Sequence, residues 1–177
     1  MARVLIFCLS LLLCSCAGSS RSLTTAESPV VLPSGPLYIV PFETVMVPDE
    51  VSAGLFDLFV DRLNDRGGPQ GMEFIILKPG LARIDAEWLA TRTYLTGDIF
   101  AYIEEVGSSM TDIKARSRVR LYRPGSSAAV LQLTFPTEVF YQNDYSSLAI
   151  ERRKLAEKIA LTLADRFLAA ITVAGND

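Results

Sequence analysis

Between Thr93 and Phe135 apolar and polar residues alternate through three consecutive runs, and this alternation limits the possible folds more than any other feature. The first run, Thr93 to Glu105, reads TYLTGDIFAYIEE. It sets Leu95, Gly97, Ile99, Ala101 and Ile103 on one face, and Tyr94, Thr96, Asp98, Phe100, Tyr102 and Glu104 on the other. Gly107-Ser108-Ser109 reads as a turn. In the second run, Asp112 to Tyr122, Ile113, Ala115, Ser117, Val119 and Leu121 oppose Lys114, Arg116, Arg118 and Arg120. Pro124-Gly125 leads into the third, Ala129 to Phe135, where Pro136 ends the clean alternation. Successive side chains of a strand point to opposite faces, so the three runs predict an antiparallel meander with one apolar face and one wet face.

The flanking segments supply what covers the apolar face. Leu37 to Phe42 (LYIVPF) is a short apolar strand. A helix follows, with Pro48 in its first turn and Asp49 and Glu50 at the positive end of its dipole. Val51, Leu55, Leu58, Phe59 and Leu63 form its stripe, and Gly67-Gly68 ends it. Met72 to Leu77 is another short strand, and a brief helix or turn near Ala82 to Leu89 carries the single tryptophan, Trp88. A long helix from about Asp144 to Val173 closes the chain, with Leu148, Leu155, Ile159, Leu163, Phe167 and Ile171 along one side. The predicted class is α+β: a two-layer sandwich, its mostly antiparallel sheet covered on one face by two long helices.

The first fifteen residues are of another kind. Arg3 precedes an apolar run from Val4 to Leu13, about 15 Å as helix and half of the roughly 30 Å needed to cross a bilayer. That length suits a secretory leader. Leu13-Cys14-Ser15-Cys16 then resembles the bacterial lipobox, in which the last cysteine is acylated and becomes the new N-terminus. Cys16 is the candidate lipidation residue, carrying a lipid anchor of the palmitate type. Each buried methylene contributes about 0.8 kcal/mol, so two or three acyl chains make release negligible. Ala17, rather than aspartate, follows Cys16, which by resemblance to the enterobacterial sorting pattern implies the periplasmic face of the outer membrane. The expected organisation is a signal peptide over 1–15, a lipidated cysteine and flexible Ser/Thr/Pro-rich tether over 16–35, and one periplasmic α+β domain over 36–177. A flexible coil of that tether's length would hold the body roughly 20–25 Å from the membrane.

Cysteine and histidine chemistry is then excluded. Cys8 and Cys14 leave with the leader, Cys16 carries lipid, and the chain has no histidine. No thiol, imidazole or cysteine–histidine metal site is left in the mature chain, so no metal and no cofactor are expected. A formal charge of −3 gives no footprint for nucleic acid.

The wet face is the candidate binding face: Phe100, Tyr102, Lys114, Arg116, Arg118 and Arg120. A turn centred near Ser108 would bring Tyr102 near Lys114, Phe100 near Arg116 and Asp98 near Arg118. Aromatics and arginines are enriched at interface hot spots, and Lys/Arg groups suit phosphorylated glycolipid. The competing reading is a solvated sheet face whose charges pair among themselves by cross-strand and cation–π contacts. Asp98, Glu104, Glu105 and Asp112 can be read as a hydrolase pair, but all lie on or beside a charged hairpin. No nucleophile elbow, phosphate loop or dinucleotide fingerprint occurs, so no catalytic residues are expected. The charged helix start from Glu151 to Lys158 reads as a solvated face.

The order strand–helix–strand–meander–helix, with Val40-Pro41-Phe42 early and Leu95-Thr96-Gly97-Asp98-Ile99 later, resembles a loose group of bacterial envelope domains. The group includes the amino-terminal domain of TolB, CsgG-like curli-secretion lipoproteins, penicillin-binding-protein activators and the LptE-type lipopolysaccharide-assembly lipoprotein. The resemblance covers most of residues 36–173 and carries over no functional residue besides the lipobox cysteine. It implies a non-enzymatic assembly or interaction module, LptE-like in lipopolysaccharide transport. Its partner would be an outer-membrane or periplasmic protein or lipopolysaccharide. Activation of a cell-wall synthase, or membership of a secretion complex, is the alternative.

Overall fold

The computed structural model describes residues 23–24 and 29–173 of the chain. The leader, Cys16 and the start of the expected tether lie outside the described residues.

The three alternating runs form long paired strands, β6 (Tyr94–Val106), β7 (Met110–Tyr122) and β8 (Leu131–Gln142). The shorter strands are β1 (Leu23–Thr24), β2 (Val30–Leu32), β3 (Leu37–Ile39), β4 (Glu43–Thr44) and β5 (Phe74–Ile76). The main sheet has the order β1-β8-β7-β6-β3-β5, and β4 also pairs with β6. β6 to β8 and β1 are antiparallel, whereas β3, β4 and β5 join parallel. The sheet is therefore mixed, antiparallel through the meander and parallel at the other edge.

Two helices cover one face. A short α1 (Asp49–Ser52) precedes α2 (Leu55–Gly67), and α4 (Leu148–Ala170) lies beside α2. The expected single first helix is split because Gly54 takes φ +84°, a left-handed conformation that interrupts helical geometry. A five-residue α3 (Ala86–Ala90) starts at Asp85, whose carboxylate accepts from the Trp88 N–H. Val51, Leu55, Phe59 and Leu63 of the first stripe are buried with Leu155, Ile159, Leu163 and Phe167 of the second, against Leu95, Ile99, Val119, Leu121 and Leu133. Leu58 is the exception, left partly exposed. Ala156, Ala160 and Ala164 on α4 are buried too, small enough to let the helix lie close to its neighbours.

Three boundaries differ from expectation. The last helix stops at Ala170, and Ile171–Val173 forms a strand, β9, paired parallel with β2. Strands β1 and β2 thus fall within the stretch expected as tether, and Leu32 belongs to the core. The run Val30-Val31-Leu32 is too short to show a period, so it merged with the tether. β8 also continues past Pro136 to Gln142. β1 covers β8 only at Leu133 and Thr134, so Pro136 lies on an open strand edge, where a missing N–H costs nothing.

Candidate functional site

The pairing of β6 with β7 decides what the wet face presents. Asp98 pairs with Arg118 and Ile99 with Ser117, but Ala101, not Phe100, pairs with Arg116. Phe100 is the extra residue of a β-bulge. Every side chain of β6 after it therefore changes face. Tyr102 pairs with Ala115 and Glu104 with Ile113 on the helix side, while Ile103 pairs with Lys114 on the open side. Tyr102 thus leaves the expected binding face and Ile103 joins it. The sequence held a warning: Ile99-Phe100-Ala101-Tyr102-Ile103 is apolar throughout, and such a run carries no parity of its own.

On the helix side Tyr102 and Glu104 meet α4. The Tyr102 hydroxyl donates to Glu104 Oε1. Arg152 donates from Nε to Glu104 Oε1 at 2.7 Å and from Nη2 to Oε2 at 2.9 Å, and its Nη1 reaches the Glu50 carboxylate of α1 at 3.4 Å. The guanidinium holds Glu104 below the usual carboxylate range, with the Tyr102 hydroxyl adding to the effect. Burial, then Glu104, pushes the Tyr102 phenol up. This fork fastens the start of α4 to the meander. Glu151 beside it is buried, accepting from Lys154 at 2.7 Å and from the Ser146 hydroxyl at 2.6 Å. The charged helix start is thus partly an internal fastening rather than only a solvated face.

On the open side most of the expected cations are already engaged. Arg118 grips Asp98 with two bonds, Nε to Oδ1 at 3.0 Å and Nη2 to Oδ2 at 2.5 Å, and Arg120 adds a third at 3.0 Å. Arg118 also lies 5.0 Å from the Phe100 ring centroid, so the bulge residue stacks on this arginine rather than on Arg116. Lys114 reaches Asp112 at 2.5 Å, Glu105 at 3.0 Å and Glu138 at 3.8 Å. Among the described residues Arg116 is the one cation of the four without an ion-pair partner. The four carboxylates of the hairpin divide between the faces, Glu104 inward and Asp98, Glu105 and Asp112 outward, each beside a cation. A general acid needs its carboxyl raised, and Glu104 is lowered. Among the described residues no group of three or more histidine, cysteine or acidic side chains is placed to hold a metal ion.

What the face offers is a groove of about 870 Å³ beside the bulge. Phe100, Ile103, Pro136 and Phe140 supply its apolar surface, with Arg116 and Lys158 at its edge. Lys158 donates to the Glu138 carbonyl at 2.9 Å. Phe100, Ile103 and Phe140 are exposed, so the apolar surface is open to a partner.

Solved structures share this architecture. PelC from Paraburkholderia phytofirmans, a dodecamer, is 17% identical with TM-score 0.50 over 81% of this chain and 98% of that one. Protein XCC0632 from Xanthomonas campestris is 12% identical with TM-score 0.53 over 81% of this chain and 95% of that one. Rare lipoprotein B from Shewanella oneidensis is 13% identical with TM-score 0.42 over 75% of this chain and 91% of that one. The first two establish a shared fold. No protein-family model and no curated protein matches the chain. No helix among the described residues is long and apolar enough to cross a membrane.

Proposed function

We propose that the chain is an outer-membrane lipoprotein, acylated at Cys16 and facing the periplasm, which holds a partner during envelope assembly and performs no chemistry of its own. The observation that supports this best is the groove beside the Phe100 bulge. Its apolar surface and the unpaired Arg116 suit a partner that presents an apolar side chain next to a carboxylate. Anchoring raises the effective concentration near a partner in the same membrane.

A protein partner fits better than the lipopolysaccharide of the LptE-like reading. Clustered phosphates call for several free cations, and Lys114, Arg118 and Arg120 are committed to carboxylates of the same face. A wall synthase, a secretion component or a further copy of this chain are the candidate proteins, the last because the PelC of like fold is a dodecamer. Photocrosslinking from Ile103 and Arg116 in the membrane-anchored protein, read by mass spectrometry, tests the reading. A defined envelope protein crosslinked at both positions supports it. Crosslinks to lipopolysaccharide would return the LptE-like version, and silence at both positions would remove the groove from consideration.

A further inference from the structure

A second apolar feature lies at the tip of the meander, where the β6–β7 turn meets the end of β8. Val106 is 67% exposed, Phe140 61% and Tyr145 86%, and Met110 is exposed beside them. Val106 pairs with Thr111 on the helix side, while Met110 and Phe140 stand on the open side, so both faces of the tip are apolar. The tip is a built structure. The Asn143 N–H donates to Ser109 O at 2.9 Å, its Nδ2 to Gly107 O at 2.9 Å, and its Oδ1 accepts from the Thr111 hydroxyl at 2.7 Å. Apolar surface held out on an ordered element calls for a cover.

The topology indicates which cover. β1 is antiparallel to β8, with Leu23 opposite Thr134 and Thr24 opposite Leu133. From Thr24 to Leu23 the strand β1 therefore points toward the tip. Cys16 is seven residues before Leu23, and Tyr141 is seven residues beyond Thr134. At about 3.3 Å per residue, either run covers roughly 23 Å. The chain from Cys16 to Leu23 is thus long enough to bring the anchor level with the tip, in the direction from which β1 arrives.

We infer that the tip is a membrane-contact element. Val106, Met110 and Tyr145 enter the interfacial layer of the leaflet that holds the acyl chains, with Phe140 at the boundary between tip and groove. The inference rests on the lipoprotein reading for Cys16. Entry is shallow, because Phe140 shares its row with Asp112 and Glu105, whose charges Lys114 matches at the water side. The body then lies against the membrane rather than hanging roughly 20–25 Å from it, as a free tether alone would set it. The groove opens beside Phe140, so a docked partner would be held close to the bilayer.

The test uses the full chain, expressed in bacteria and reconstituted in phosphatidylcholine vesicles. Val106→Cys and, at the opposite end of the meander, Ser127→Cys each receive an environment-sensitive fluorophore. Met110→Cys repeats the reading from the other face of the tip. Intact mass reports acylation of Cys16 separately. Quenching by lipid-borne quencher about threefold greater at Val106 and Met110 than at Ser127 is expected for shallow insertion. Equal, weak quenching at all three positions with Cys16 acylated would overturn the tip contact and leave the lipoprotein reading intact. Shielding from aqueous iodide without lipid quenching would assign the cover to protein and also overturn it. An unacylated mass would remove the lipoprotein reading, and with it the stated basis of the inference.

Discussion

The Phe42 ring occupies the space that a side chain at Gly97 would need. A Cβ built on Gly97 would lie 2.5 Å from Phe42 Cε1 and 2.6 Å from Cζ. The same ring packs on Phe59 of α2, with centroids 4.8 Å apart, and on Phe56 at 5.9 Å. The two short motifs marked in the sequence, Val40-Pro41-Phe42 and Leu95-Thr96-Gly97-Asp98-Ile99, are therefore the two halves of one contact. Glycine in β6 lets the chain after β3 lie flat on the sheet beneath α2.

Gly97→Ala should accordingly destabilise the fold by about 1–3 kcal/mol, the usual cost of overpacking. Urea unfolding would show it as a lower midpoint with unchanged slope. Phe42→Leu combined with Gly97→Ala should recover part of the loss, because the smaller side chain can yield. Additive losses in the double variant would mean the two positions do not share this contact.

Much of this fold was legible because β7 alternates strictly. Ile113, Ala115, Val119 and Leu121 are buried on one face, as the period demanded. The helical stripes were equally clear. The face of β6 beyond Ile99 was not legible, since a bulge is a property of pairing rather than of composition. The site inherited that difficulty. Phe100, Lys114, Arg116, Arg118 and Arg120 stand on the open face as expected, but Tyr102 points inward and Ile103 replaces it. The pairing of Asp98 with Arg118 was readable from strand register, whereas the Glu104–Arg152 fork joins residues 48 positions apart and has no local signal.

The bulge itself is open to test. Deleting Phe100 removes the extra residue and lets Ala101 follow Ile99 in regular pairing, so Tyr102 and Glu104 keep the helix side and the Glu104–Arg152 fork should survive, while the Phe100 contact with Arg118 is lost. Arg152→Ala removes the fork itself. Hydrogen exchange should show faster opening of the first turns of α4 in Arg152→Ala but not in the Phe100 deletion, with the Leu95–Leu121 end of the hairpin protected in both. Unchanged exchange at α4 in Arg152→Ala would show that the fork does not fasten it.

Stability should fall in acid with a defined sign. Glu104 is held low chiefly by Arg152, Glu151 chiefly by Lys154 and then Ser146, and Asp165 chiefly by Arg62. A carboxyl group with a depressed folded pKa favours the native state above its unfolded value, and that contribution disappears as pH falls through the folded value. Unfolding free energy should therefore hold steady near neutrality and decline below about pH 4, the ordinary carboxylate range. Glu104→Gln should lower stability at pH 7 by about 2 kcal/mol, in keeping with hydrogen bonds to a charged group, and should flatten the decline. An equally steep decline in that variant would place the acid sensitivity elsewhere.

The open-face arginines should separate by role. Arg118→Ser strips two of the three hydrogen bonds from the buried Asp98 and should cost about 1–3 kcal/mol of stability. Arg116→Ser removes an exposed side chain with no ion pair and should leave stability within about 0.5 kcal/mol. If the groove is the docking site, Arg116→Ser should nevertheless weaken partner capture. Paired thermal melts and crosslinking yields would resolve the two variants, and loss of capture only in proportion to loss of fold would argue against a binding role for Arg116.

Leu32 offers the sharpest contrast between tether and body. In a flexible linker Leu32→Ala would be silent. Here Leu32 is 5% exposed, and its strand β2 lies parallel to β9 at the end of the chain. Truncating a buried leucine to alanine removes its transfer free energy and leaves a cavity, so a loss of about 2–4 kcal/mol is expected. Ile171→Ala on the pairing strand should act in the same direction, because Ile171, opposite Val30 in the register, is buried in the same core as Leu32. Chemical denaturation of the two single variants measures this. Full stability in Leu32→Ala would return residues 30–32 to the tether and begin the body at residue 36.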